Sequence, residues 1–177
     1  MVPASLVTGP IGVGKTAVLR EADAILVEAG SEHATIEPEE IARCHQNLAA
    51  LWSKFVAVGA SRLVLAALPE QRSDLRFVSQ AIPGATITVV RLDAPVSVLE
   101  RRIRMREPAS PDELAGARSW ETHLDQVKLE DHVVGRRAGP WPPSLARCFG
   151  WPARLFRTVE ERRGGARRSL RFELCDR

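Results

Sequence analysis

The sequence predicts an α/β protein of three layers, with a parallel sheet of about five strands between helices. Two observations predict it. From residue 1 to 134, short apolar or β-branched runs alternate with longer segments whose apolar residues recur at helical spacing. Strands separated by helices of this length are joined as parallel units. The strand candidates are also apolar almost throughout, as in a sheet covered on both faces.

Ser5-Leu6-Val7-Thr8 is the first strand candidate and stops at Gly9. From Lys15 to Ala29 the apolar positions Val18, Leu19, Ala22, Ile25, Leu26 and Ala29 form a helical stripe, which Gly30 ends. His33 to Ile36 is a second short strand. Pro38 suits the first position of the next helix. Its stripe runs through Ile41, Cys44, Leu48, Leu51, Trp52, Phe55 and Val56 to Gly59, and places Trp52 in the core. Arg62 to Leu68 reads as a buried strand. Ser73 is the expected cap of a short helix that ends before Pro83-Gly84. Thr86 to Leu92 is the clearest strand, β-branched and bounded by turn residues. Pro95 opens a helix to about Arg106, and Ser110-Pro111-Asp112-Glu113 has capping-box spacing for another, to about Glu130. His132-Val133-Val134 is the last strand.

Composition excludes several classes. Hydrophobic residues make up 45% and charged residues 27%, which places the chain among globular proteins. No apolar run is long enough to span a membrane, and the N-terminus lacks the pattern of a secretory signal. Three scattered cysteines, Cys44, Cys148 and Cys175, argue against a disulfide framework or zinc site and fit a cytoplasmic setting. His33, His45, His123 and His132 show no metal-ligand spacing.

Charge divides the chain. Residues 1–134 hold 14 Lys+Arg against 18 Asp+Glu, and residues 135–177 hold 11 against 4. The basic balance therefore belongs to the tail and argues against nucleic-acid binding by the folded part. The expected division is a nucleotide-binding domain at 1–134 and a basic Gly/Pro/Arg-rich extension at 135–177. The extension reads as poorly ordered, with a basic partner-binding arm or a stretch translated out of frame as the alternatives. Within it only Ser144 to Phe149 has helical potential.

Gly9-Pro10-Ile11-Gly12-Val13-Gly14-Lys15-Thr16 matches G-x-x-x-x-G-K-[ST] in full, between the first strand and the first helix. A chance match in a chain of this length has odds of about one per cent or less. Glycines let backbone N–H groups surround phosphate oxygens, and the helix N-terminus adds partial positive charge. Lys15 is expected on the β- and γ-phosphates, and the Thr16 hydroxyl on Mg²⁺. The expected ligand is Mg-ATP.

With this loop in place, and with Thr88-Val89-Val90-Arg91-Leu92-Asp93-Ala94-Pro95 followed by Leu99-Glu100-Arg101-Arg102 and Arg106-Glu107, the chain resembles the P-loop kinases. The resemblance is to small kinases of the gluconate, shikimate and adenylylsulfate kinase type, and covers residues 1 to about 134. It implies a three-layer P-loop NTPase fold and phosphoryl transfer from ATP to a small-molecule acceptor. It also implies an acidic pair after the second strand, where Ile36-Glu37-Pro38-Glu39-Glu40 keeps the spacing with glutamate for aspartate. Glu37 is the foremost candidate to position the acceptor, against the alternative of a first helical turn whose acids favour the dipole. Gly135 to Pro140 departs from the family's nucleotide-base loop.

Arg102 and Arg106 stand four apart on one helix face and are the candidates to neutralise the transferring phosphoryl group, whereas Arg101 and Arg104 face solvent. Glu70 and Asp93 end strands and are secondary candidates near Mg²⁺. The expected function is that of a kinase for a small hydroxyl- or phosphate-bearing metabolite. The alternative is a non-kinase ATP-binding or ATPase module acting on a partner protein. Leu65-Ala66-Ala67-Leu68-Pro69-Glu70 lacks the Asp-Glu pair that motor-type ATPases carry there, which favours the kinase.

Overall fold

The computed structural model describes residues 1–36, 41–105, 111–135 and 149, with the backbone alone for 41–46. The order of elements is β1 (Val2–Thr8), α1 (Lys15–Glu28), β2 (Ala34–Ile36), α2 (Ile41–Ala57), β3 (Leu63–Ala66), α3 (Leu75–Ala81), β4 (Ala85–Asp93), α4 (Val96–Arg104), α5 (Pro111–Val127) and β5 (His132–Gly135). A single 3₁₀ turn, Arg72–Asp74, leads into α3.

All five strands are parallel, in the order β2-β3-β1-β4-β5. Every connection is therefore a crossover, and helices must lie on the faces. β1 is central, with Leu6 beside Leu65 of β3 and Val89 of β4. Alternation splits each strand between two cores. Val7, Val64, Ala66, Val90, Leu92 and Val134 pack against Val18, Leu19, Ala22 and Leu26 of α1. Ala4, Leu6, Leu63, Leu65 and Val89 pack against Leu48 and Trp52 of α2 and Val78 and Ala81 of α3. The three-layer α/β reading and the core place of Trp52 hold.

Three local expectations change. Ser73 does not cap the third helix. Instead, Asp74 Oδ2 accepts from the backbone N–H of Glu70 (2.8 Å) and Gln71 (3.1 Å), closing a turn before α3. α4 ends at Arg104 rather than Arg106. α5 ends at Val127 rather than near Glu130, because Lys128 turns to a φ of 46° and breaks the helical backbone. Phe149, beyond the expected boundary of the nucleotide-binding domain, is buried in the core on the α1 side with Val7, Leu92 and Val134.

Candidate functional site

The loop from Gly9 to Gly14 joins the carboxyl end of the central strand to α1, the position where parallel sheets bind ligands. Its backbone explains its glycines. Gly9, Gly12 and Gly14 have φ of 141°, 84° and 105°, where side chains are strained. Space is a second constraint. A Cβ on Gly9 would stand 2.5 Å from the Leu92 carbonyl oxygen, and one on Gly12 would stand 3.1 Å from Ile103 Cγ1 and 3.2 Å from the Leu99 carbonyl oxygen. Val13 is fully buried between these glycines and ties the loop to the core.

Lys15 Nζ donates to the carbonyl oxygens of Gly9 (2.9 Å) and Pro10 (3.2 Å). The ammonium is partly buried and folded back over the loop. Thr16 is half-buried in the first turn of α1, which contains no acidic residue and has no side-chain cap. A helix N-terminus without a side-chain cap favours an anion. Beside Thr16 a cavity of about 230 Å³ opens between α1 and β2, lined by Thr16, Leu19, Arg20, Asp23 and Thr35. Asp23 Oδ1, in its lining, accepts hydrogen bonds from His33 Nε2 (2.9 Å) and Thr35 Oγ1 (3.2 Å).

α4 and α5 close over the other side of the loop. Leu99 and Ile103 are buried, and Ile103 faces Gly12. Arg102 Nη1 donates to the carbonyl oxygens of Val13 (3.0 Å) and Gly12 (3.4 Å). This expected phosphate-clamping arginine therefore lies at the loop, but on its backbone carbonyls. Arg101 and Arg104 are exposed, as expected. Arg104 pairs with Glu100 at 3.1 Å, and Glu100 also accepts from Arg118 Nε (2.9 Å), which ties α4 to α5. The Arg118 hydrogen bond, with the charges of Arg118 and Arg104, holds the Glu100 carboxyl below its ordinary pKa against an opposing effect of burial. Gly116 of α5 lies in ordinary contact distance of Ile11 at the tip of the loop.

Glu37, Glu39 and Arg106 lie outside the described residues. Glu70 is exposed, and its carbonyl oxygen is hydrogen-bonded to His123 Nε2 of α5 at 2.5 Å. Asp93 is half-buried at the end of β4. Sequence reading missed a polar layer under α5. Arg91 of β4 is only 5% exposed and pairs with Asp125 at 2.7 Å and Glu130 at 3.8 Å. Glu121, one turn before Asp125, has its pKa raised by burial first, then by Asp93 and Asp125, with Arg91 opposing. Arg91 interrupting an otherwise apolar strand was the signal available in the sequence. Among the described residues no group of His, Cys, Asp and Glu is arranged to hold a metal, and no helix is long and apolar enough to cross a membrane.

No protein-family model matches the chain, and no curated protein sequence does. Solved structures do match in fold. The tunicamycin resistance protein of Deinococcus radiodurans superposes with a TM-score of 0.56 at 16% identity, over 85% of this chain and 94% of that one. Kti12 of Chaetomium thermophilum, solved in complex with ADP-AlF3, gives 0.51 at 15% identity, over 92% and 100%. Shikimate kinase of Acinetobacter baumannii, solved with shikimate, gives 0.50 at 12% identity, over 93% and 97%. Strand order, phosphate loop and these likenesses agree that the chain has the three-layer α/β fold of the P-loop kinase-like proteins.

Proposed function

We propose that the protein is an ATP-dependent phosphotransferase acting on a small acceptor. The observation that carries this reading is the loop itself. Three glycines at positive φ, an uncapped α1 N-terminus and the Lys15 ammonium at the loop's bend suit a triphosphate and leave little other use for such a backbone. Loop N–H groups bind the phosphate oxygens. Lys15 exchanges its carbonyl partners for the β- and γ-phosphates, and the Thr16 hydroxyl holds Mg²⁺. The metal's chemistry is to neutralise charge on the phosphate oxygens.

In the reaction, the acceptor hydroxyl oxygen bonds to the γ-phosphorus as the bond to the β,γ-bridging oxygen breaks. The bonding pair departs with ADP, and the hydroxyl proton passes to a carboxylate, for which Glu37 is the foremost candidate. Arg106 is the arginine proposed for the transferring phosphoryl group. Arg102 is proposed as a positioning residue that acts through the loop backbone it binds.

The test is incubation of the full chain with Mg-ATP and a panel of sugars, nucleosides and amino alcohols, with phosphorylated products read by mass spectrometry. A phosphorylated small molecule, lost in Lys15→Ala together with most triphosphate affinity by calorimetry, is the expected result. ATP consumption with no phosphorylated small molecule sinks the kinase reading and leaves an ATPase module. Unchanged ATP affinity in Lys15→Ala sinks both.

A further inference from the structure

The polar layer under α5 bears on which acceptors the cleft admits. Thr8 and Arg91 are partners in the β1–β4 register. Thr8 alternates with Leu6, and Arg91 with Val89, so both point to the face covered by α2 and α3, not to the α1 face, and Arg91 there meets Asp125 of α5. Thr8 is the last residue of β1, immediately before the phosphate loop. Asp93 follows Leu92, whose carbonyl oxygen abuts Gly9. The layer therefore begins one residue from the phosphate site.

Its charges are lopsided. Asp93, Glu121, Asp125 and Glu130 surround one guanidinium, and Arg91 is already paired with Asp125 and Glu130. Glu121 is half-buried on the side of α5 that carries the buried Ala117 and Leu124, within reach of the charges of Asp93, Asp125 and Arg91. His123 fixes α5 to the loop after β3 through the Glu70 carbonyl oxygen.

A second, independent feature marks the layer as incomplete. Thr8 Oγ1, Arg91 Nε and Glu130 Oε2 are buried and without a hydrogen-bond partner, Thr8 belonging to a residue with no exposure at all and Arg91 to one 5% exposed. Buried polar atoms are seldom left unpaired, because an unmade hydrogen bond away from water is costly. Water or a ligand rich in hydroxyl or amino groups satisfies them, and an apolar ligand does not.

We infer that the acceptor is a hydroxylated compound without phosphate or carboxylate, favoured when it carries an amine, and is held by the carboxylates of Glu121 and Asp93 above the Thr8–Arg91 floor. The inference rests on the kinase reading for the location of the cleft, and goes beyond it in naming the charge of the substrate. An anionic acceptor would enter a site with more carboxylates than cations and with its one guanidinium occupied. Even near a protein surface, such a repulsion at contact distance is worth about tenfold or more in affinity.

The experiment measures binding to the full chain with Mg²⁺ and a non-hydrolysable ATP analogue, by calorimetry. The ligands are matched sets of hexoses and nucleosides in amino, neutral, carboxylate and phosphate forms. Binding confined to amino and neutral forms is expected, with a discrimination of about tenfold or more that shrinks at high salt. In Glu121→Gln, the preference for the amino form should fall by about tenfold while affinity for the ATP analogue is kept. Equal or tighter binding of a carboxylate or phosphate form overturns the inference, as does binding of no member of any set. The kinase reading fails separately: a member that binds selectively but is not phosphorylated by Mg-ATP overturns that reading and leaves the binding site standing.

Discussion

Arg102 Nη1 donates to the carbonyl oxygen of Val13 at 3.0 Å, and so joins α4 to the interior of a loop 89 residues earlier in the chain. The same nitrogen reaches the Gly12 carbonyl oxygen at 3.4 Å. Charge-assisted bonds to its backbone carbonyls help fix the loop's shape.

Replacing Arg102 with Ala is therefore expected to weaken nucleotide binding by about tenfold, because the loop loses a bond of roughly 1.5–3 kcal/mol that shapes it. An arginine acting solely on the transferring phosphoryl group would lower turnover and spare ATP affinity. Arg101→Ala, on the exposed face, is expected to be near neutral. Calorimetric ATP affinities of the two variants separate the roles, and equal affinities would remove the positioning role of Arg102.

Glycine substitutions grade the loop's constraints. Gly9→Ala meets a backbone oxygen at 2.5 Å, so the backbone must shift and the loss should be the largest of the series. Gly12→Ala meets Ile103 and the Leu99 carbonyl at 3.1–3.2 Å with φ at 84°, and is expected to cost about 1–3 kcal/mol. Gly116→Ala lies inside α5 in ordinary contact with Ile11 and should gain about 0.5–1 kcal/mol. Urea midpoints check the order, and a destabilised Gly116→Ala would contradict the packing of α5 on the loop.

Two carboxyls give opposite pH signatures. Glu100 has a lowered pKa, so its contribution is present above the ordinary carboxylate range and is lost as pH falls through the lowered value. Glu100→Gln should flatten the acid limb of stability against pH. Glu121 has a raised pKa, so its contribution is present in acid and is lost as pH rises through the raised value. Glu121→Gln should therefore be more stable than the parent at neutral pH and no more stable in acid. Thermal unfolding across pH measures both, and parallel curves would contradict the assignment.

Phe149 is 3% exposed among Val7, Leu92 and Val134. Phe149→Ala should cost about 3–5 kcal/mol, the range for a buried aromatic truncated in a core. A chain cut near residue 138 should lose a similar amount, whereas a cut near residue 155 should not. Equal thermal stability of the two truncations would show that Phe149 contributes nothing to the fold.

The sequence by itself determined what depends on neighbours in the chain. The octapeptide Gly9 to Thr16 needs specific residues at fixed spacing because φ and phosphate geometry are local, and the alternation of strands and helices follows from side-chain period. Element ends were less legible, because Asp74 competes with Ser73 for the turn before α3 and Lys128 breaks α5 early. Tertiary structure alone decided the strand order β2-β3-β1-β4-β5, which places β3 and β4 on either side of β1. It also decided that Arg102 meets loop carbonyls, that Lys15 folds back on Gly9, and that Arg91 gathers acids from α5. Helical spacing fixes which residues share a face, but a guanidinium or ammonium takes the nearest acceptor in space, and that acceptor is supplied by a distant segment of the chain.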